Sequence, residues 1–389
     1  MRRGNAVRAE SQPFDSARAM HLFDPLKLRE LTLANRIVVS PMCQYSAVDG
    51  CANDWHLVHW GQMLQSGAGM FMIEATAVTA EGRITYGCHG LYDDACERAL
   101  ATLLARARRQ APPMPVALQL AHAGRKGSSR VPWDGGTLIT VADGGWTPVA
   151  PSALAHSAQE PPPVALDLAG IEAIRAAFVD AARRADRAGI DALEVHMAHG
   201  YLLHEFLSPL SNQRTDRYGG DRERRMRLPL EIFEAVRAAW PAGKPLGARL
   251  SVIDWVDGGL TLDDSLELAR RLVARGADWI DASSGGVSPA QKITVGPGYQ
   301  VPFARAVRQA TGAVTMAVGM ITDPRQAEAI VASGDADLVA LARAMLWDPR
   351  WPWRAAAALG ASVPAPPQYW RAPPRDAAKA LSGAVVGQR

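Results

Sequence analysis

The sequence predicts a (β/α)8 TIM barrel, and three observations carry that prediction. Eight short apolar runs, many of them β-branched, recur with helical stretches between them. They lie near Ile37 to Ser40, Met70 to Ala75, Val116 to Ala121, Ala192 to His196, Leu246 to Ser251, Trp279 to Ala282, Val314 to Val318 and Asp337 to Leu341. Most are continuous rather than alternating, as strands covered on both faces should be. A weak internal repeat precedes several of them: Ser66-Gly67-Ala68-Gly69, Ala188-Gly189-Ile190-Asp191, Arg275-Gly276-Ala277-Asp278 and Ser333-Gly334-Asp335-Ala336. In each, glycine suits the helix C-terminal turn that feeds the next strand. No Gly-x-Gly-x-x-Gly turn follows Ile37 to Ser40, so a doubly wound dinucleotide-binding sheet is disfavoured.

Three flanking pieces stand outside the repeat. Residues 1–20 form a polar leader without the continuous apolar segment of a secretory signal, expected to be disordered or to reflect an upstream start, with a short presequence as the alternative. Lys126 to Pro163, rich in Gly, Pro, Ser and Trp, is too long for an ordinary connection and is expected to cap the barrel. From Ser362 the prolines Pro364, Pro366, Pro367, Pro373 and Pro374 forbid a regular helix, so 362–389 is expected to be an extended C-terminal arm and tail. A single barrel domain then spans 21–361.

A length of 389 residues accommodates one such barrel with loops. The 42 Lys+Arg against 39 Asp+Glu leave a net charge of +3 without a basic block, which disfavours a nucleic-acid partner. No apolar run approaches the roughly 20 residues of a membrane helix, so the expected partners exclude a membrane. The four cysteines, Cys43, Cys51, Cys88 and Cys96, form no Cys-x-x-Cys pair; they read as reduced thiols, and the cytoplasm is the expected location.

Barrel enzymes place their chemistry at the C-terminal ends of the strands. There the first strand offers Ser40-Pro41-Met42-Cys43-Gln44-Tyr45, the second Glu74-Ala75-Thr76, the third Gln119 to His122, and the fourth His196-Met197-Ala198-His199-Gly200-Tyr201. The fifth contributes Arg249, the sixth is followed by Ser283-Ser284-Gly285-Gly286, the seventh by Gly319, and the eighth by Arg343. Gly-rich turns after the last strands let backbone N–H groups approach a phosphate, with Arg343 as counter-charge; a plain flexible loop is the alternative. His196, His199 and Glu205 also admit a metal reading, in a metal-dependent barrel hydrolase. His56 and His59 beside Trp60 read as a helix face packed on the barrel.

The joined string from His196 to Tyr201, continued by Phe206-Leu207-Ser208-Pro209-Leu210-Ser211-Asn212-Gln213-Arg214-Thr215-Asp216-Arg217-Tyr218-Gly219-Gly220, strongly resembles the Old Yellow Enzyme family of flavin-dependent ene-reductases. The resemblance runs from about Leu22 to Arg371. Cys43 and Tyr45 make the chain similar to the thermophilic-like, xenobiotic-reductase branch. The resemblance implies noncovalent FMN, reduced by NADPH or NADH. It also implies ping-pong reduction of activated alkenes by hydride from flavin N5, with protonation of the α-carbon.

It further implies roles residue by residue. His196 and His199 match the donor pair for the substrate oxygen, and Tyr201 the proton donor, with loop anchoring as its other reading. Arg249 and Gln119 match partners of the flavin pyrimidine. Pro41, Met42, Cys43 and Ala75 match contacts around the ring, where Cys43 tunes the flavin or is simply an inert thiol. Tyr45 lines the substrate side. Gly285, Gly319 and Arg343 carry the phosphate. Gln368-Tyr369-Trp370-Arg371 resembles a segment that reaches a neighbouring subunit, which makes Arg371 a candidate finger in a homodimer or homotetramer; a tail folded on its own barrel is the alternative. Nitrate-ester reduction at the same site is the neighbouring activity. No metal is implied.

Overall fold

The computed structural model describes residues 20–384, so the leader expectation for 1–20 lies, Met20 apart, outside the described residues. Eight parallel strands close into a barrel. They are β1 (Ile37–Val39), β2 (Met70–Ala77), β3 (Val116–Ala121), β4 (Ala192–Met197), β5 (Leu246–Ser251), β6 (Trp279–Ser283), β7 (Val314–Ala317) and β8 (Leu338–Leu341). Pairing follows chain order, and β8 returns to β1 with Val339 opposite Ile37. Each expected strand lies within two residues of its observed bounds, because a barrel strand is buried on both faces and its apolar run ends where burial ends.

Helices α1 (Asp54–Leu64), α2 (Asp94–Arg108), α3 (Leu168–Arg187), α4 (Leu202–Leu207), α5 (Arg222–Ala239), α6 (Leu262–Ala274), α7 (Val301–Thr311), α8 (Pro324–Ala332), α9 (Arg343–Trp347) and α10 (Trp351–Leu359) follow the strands. Their starts are written in the sequence as capping residues. Asp93, Asp167, Asp221, Thr261 and Asp323 each accept a backbone N–H of the first turn. None of the helices is long and apolar enough to cross a membrane.

Alternation along the strands divides the barrel interior into layers. Below, Val38, Met70, Met72, Ala117, Ala192, Trp279, Met316 and Leu338 pack into an apolar floor. A two-stranded hairpin, Leu26–Leu28 with Leu31–Leu33, adds Leu28 and Leu33 to it. Two residues further along β3, β4, β5 and β6, the interior turns polar at Gln119, Glu194, Arg249 and Asp281, all buried. Another step along β4 brings His196.

The segment after β3 is locally built. Ser129 bridges Leu138, two 3-10 turns cover Pro132–Asp134 and Val141–Asp143, and Val149–Ala150 pairs with Val164–Ala165. The C-terminal segment contains no regular α-helix among its described residues, as its prolines require, but it is not one continuous extended arm. Val363–Pro364 pairs with Leu381–Ser382, and Val363, Ala365, Ala380 and Leu381 bury themselves with Ala356 of α10. An extended arm would leave that apolar cluster in water.

Candidate active site

The mouth of the barrel gathers the side chains that the strand ends promised. The rings of His196 and His199 stand perpendicular with centroids 5.1 Å apart, and Tyr201 meets His196 in the same way at 5.1 Å. The tight β4 turn makes this possible. His199 takes the left-handed backbone at φ 60°, a conformation worth about 1–3 kcal/mol of strain in a non-glycine residue. Gly200 follows at φ 71°, where a Cβ would strike the Gly286 carbonyl. Two loops thus meet backbone to backbone.

Hydrogen bonds orient the imidazoles. His196 Nδ1 accepts the Ala198 N–H at 3.1 Å, so its proton sits on Nε2. His199 Nε2 is 2.7 Å from the Ser283 hydroxyl, which in turn donates to Gln300 Oε1 at 3.4 Å. The Ser251 hydroxyl accepts the His199 backbone N–H at 2.9 Å. Burial and the nearby Arg249 charge hold both imidazoles well below the usual histidine range, so both are neutral donors. Burial pushes the Tyr201 phenol well up, keeping it protonated.

Lys126, which no motif singled out, donates from Nζ to the carbonyls of His199 at 2.9 Å and Gly286 at 3.2 Å. It also lies 5.1 Å from the centre of the Tyr201 ring. Burial brings its ammonium down to about 8. Glu205 does not join the histidines. Its Oε1 accepts the Arg125 N–H at 2.9 Å, and burial pushes its carboxyl up to about 8. The metal reading of His196, His199 and Glu205 therefore has no common point of ligation. His56 instead reaches Glu74 at 3.2 Å inside the α1 packing, the structural role expected for it.

Tyr45, also left-handed at φ 52°, meets the exposed Trp133 of the cap edge-on at 5.7 Å. Tyr45, Lys126, Arg125 and His156 line a cavity of about 190 Å³ under that cap. Cys88, expected as a reduced thiol but not as a site residue, lies beside Cys43. The hydrogen bond between the thiols, with burial, drives the Cys43 thiol well above its ordinary value. Cys43 is thus a neutral thiol.

A second cavity, of about 380 Å³, opens beside β7 and β8 and is lined by Arg249, Ser283, Gly319, Met320 and Arg343. Gly319 has φ 112°, and a Cβ there would press on Tyr299 and Gln300. Arg249 Nε lies 3.0 Å from Asp281 Oδ2, but out of line for a hydrogen bond. Arg249 lines the cavity, and its Nε has no hydrogen-bond partner among the described residues. Arg343, by contrast, makes no ion pair among the described residues. Two guanidinium groups, one paired with Asp281 and one without an ion pair among the described residues, stand around a cavity that Gly319 helps to wall and fit a phosphate-bearing, acceptor-rich group such as FMN.

Gln119 lies in the polar layer, donating to Glu194 Oε1 at 2.8 Å. Pro41, Met42 and Ala75 stand on the first two strand ends. Gly285 is not on the phosphate-sized cavity. Its N–H goes to the Ile253 carbonyl at 2.8 Å and its own carbonyl takes the Ser251 hydroxyl at 2.7 Å. Arg371 is exposed on the folded-back tail.

Burial of ionisable groups at the mouth makes stability pH-dependent. Burial pushes Glu194 and Glu205 up to about 8. It holds His89 and His156 down to about 4 and His122 to about 3. The raised carboxyls favour the fold below the unfolded glutamate value of about 4.3, and that contribution is lost as pH rises towards 8. The depressed histidines favour it above about 6.5, and theirs is lost as pH falls. Each group contributes a slope of about 1.4 kcal/mol per pH unit. Since the histidines outnumber the carboxyls, denaturant midpoints measured from pH 4 to 9 should peak near 6.5.

Comparison with known proteins agrees with this geometry. The model of the NADH:flavin oxidoreductase / NADH oxidase family matches residues 21–361. An NADPH dehydrogenase of Geobacillus thermodenitrificans is 44% identical over 352 residues, covering 90% of this chain and 98% of that protein. An NADPH dehydrogenase of Bacillus subtilis is 41% identical over 355 residues, covering 91% and 99%. Among solved structures, morphinone reductase superposes with a TM-score of 0.75 at 28% identity, over 96% of each chain.

Proposed function

The chain belongs to the NADH:flavin oxidoreductase / NADH oxidase family and is an FMN-dependent NAD(P)H oxidoreductase, and from that premise we propose that it reduces the C=C bond of alkenes conjugated to a carbonyl or nitro group. The supporting observation is the pair of neutral, perpendicular imidazoles of His196 and His199 with protonated Tyr201 over the same mouth. When bound, FMN would supply the hydride chemistry between NAD(P)H and the alkene. Arg249, Arg343 and Gly319 would hold it, with Gln119, Pro41, Met42, Cys43 and Ala75 around its ring.

The residues of the chain do the rest. The Nε2–H of His196 and the ring N–H of His199 hydrogen-bond the substrate oxygen, on which negative charge grows in the transition state. Their neutrality matters, because an imidazolium would bind an anion instead of waiting for one to form. Tyr201 holds a proton for the α-carbon, and its raised affinity keeps that proton in place at neutral pH. Tyr45 and the cap exclude water from the substrate side. The reading includes a homo-oligomer in which the exposed Arg371 serves a neighbouring site. In its support, Trp347 is 91% exposed, as a surface awaiting a partner would leave it.

The test is an anaerobic spectrum of the purified protein. The flavin absorbance should bleach with NADPH and return with 2-cyclohexenone. In Tyr201→Phe the bleaching should be unaltered, while the return slows by about 10²-fold or more. A flavin that bleaches but stays bleached with every enone and nitroalkene offered would rule the proposal out.

A further inference from the structure

Away from the barrel mouth, Cys51, Asp93 and Cys96 meet where the loop after β1 touches the N-terminus of α2. They are 45 residues apart at the extremes and form no motif, yet the fold brings the two sulfurs to 3.6 Å. Both sulfurs and an Asp93 carboxylate oxygen lie within 4.8 Å of one another. Among the described residues this is the only group of three His, Cys, Asp or Glu side chains so arranged.

We propose that these three residues form a binding site for a thiophilic divalent cation such as Zn²⁺. Two thiolates bound to one zinc, at about 2.3 Å each in tetrahedral geometry, stand roughly 3.8 Å apart, close to the spacing here. A disulfide needs the sulfurs at about 2.05 Å, well inside the spacing here. The carboxylate supplies the third ligand, and water completes the set.

The surroundings hold these ligands in place. Asp93 caps α2, accepting the Cys96 N–H on Oδ1 at 2.8 Å, which leaves Oδ2 for a metal. The loop is pinned by the bridge between Val48 and Cys51 and by the Tyr92 hydroxyl donating to the Asp49 carbonyl at 2.7 Å. Asp93 makes no ion pair among the described residues. Cys96 is buried, Cys51 is half-buried and Asp93 is exposed, which gives an ion a path from solvent. On binding, two S–H bonds break, two metal–sulfur bonds form, two protons pass to solvent, and no electron changes hands.

The site stands apart from the flavin machinery, so its fate is separate from that of the activity. The test uses the full-length, FMN-loaded protein, stripped with a chelator under reducing conditions and dialysed against zinc chloride. Elemental analysis should find about one zinc per chain. Cadmium in its place should give the ultraviolet thiolate-to-cadmium band. Both should vanish in the Cys51→Ser, Cys96→Ala double variant. Asp93→Asn keeps the helix cap, since Asn caps as well as Asp. It should nonetheless weaken binding at least about tenfold, because even outer partners of metal ligands cost that much. Equal uptake by wild type and double variant would overturn the proposal. So would a peptide map showing Cys51 joined to Cys96 as a disulfide in protein purified without reductant and with zinc present.

Discussion

Alanine at both His196 and His199 is expected to slow enone reduction by roughly 10³- to 10⁵-fold while the protein still binds its flavin. One preorganised donor to a developing oxyanion is worth about 10²–10³ in rate, and two donors to one atom overlap in effect. The flavin should survive because neither ring is committed to the phosphate-sized cavity. His196 gives Nδ1 to its own turn, and His199 leans on Ser283. Rapid mixing of pre-reduced protein with 2-cyclohexenone reads the loss. The double asparagine variant, which keeps N–H donors in place, should recover part of it. A double alanine variant as fast as wild type would mean that the substrate oxygen is held elsewhere.

The second large effect is expected at Arg249. Among the described residues its guanidinium is the one cation in the polar layer of the barrel, beside Asp281 and near Glu194. Arg249→Met should yield protein largely without flavin and less stable by about 3–5 kcal/mol at pH 8, because two buried carboxyls lose their counter-charge. Burial already raises both carboxyls, with Arg249 opposing. Without the arginine they escape by taking up protons, so the deficit should shrink towards pH 5. Adding Asp281→Asn should restore much of the melting temperature at pH 8 but not the flavin. Full flavin occupancy in Arg249→Met would show that the cofactor is held without it.

The barrel itself was legible because each strand is a short apolar run bounded by glycine turns and capping residues, all local signals. His196, His199, Tyr201 and Arg249 were legible for a related reason, since strand ends are where barrels keep their polar groups. What surrounds them was not. Lys126, Ser251, Ser283 and Cys88 act through contacts with residues tens of positions away, and no spacing announces such a contact. Gly285 was expected on the phosphate because its turn is glycine-rich, but its N–H and carbonyl are both taken by neighbouring backbone and serine. The tail misled in a similar way. Proline forbids a helix, yet it does not forbid 3-10 turns that bury Val363 and Leu381.

The segment between β3 and α3 has its own framework. Ser128 ties to the Ile139 carbonyl at 2.8 Å, Trp146 reaches the Glu81 carbonyl at 2.8 Å, and a short pair of strands closes its end. It is also tied to the loops of the barrel mouth: the Ser129 N–H donates to the Ile84 carbonyl at 2.8 Å, Arg125 to the Val287 carbonyl at 2.6 Å, and Arg214 to the Pro151 carbonyl at 2.9 Å. Insert and mouth are therefore one piece of joinery: a change in the insert that alters the size of the admitted substrate also reaches the chemistry beneath, through Lys126 on the His199 carbonyl and Trp133 on Tyr45.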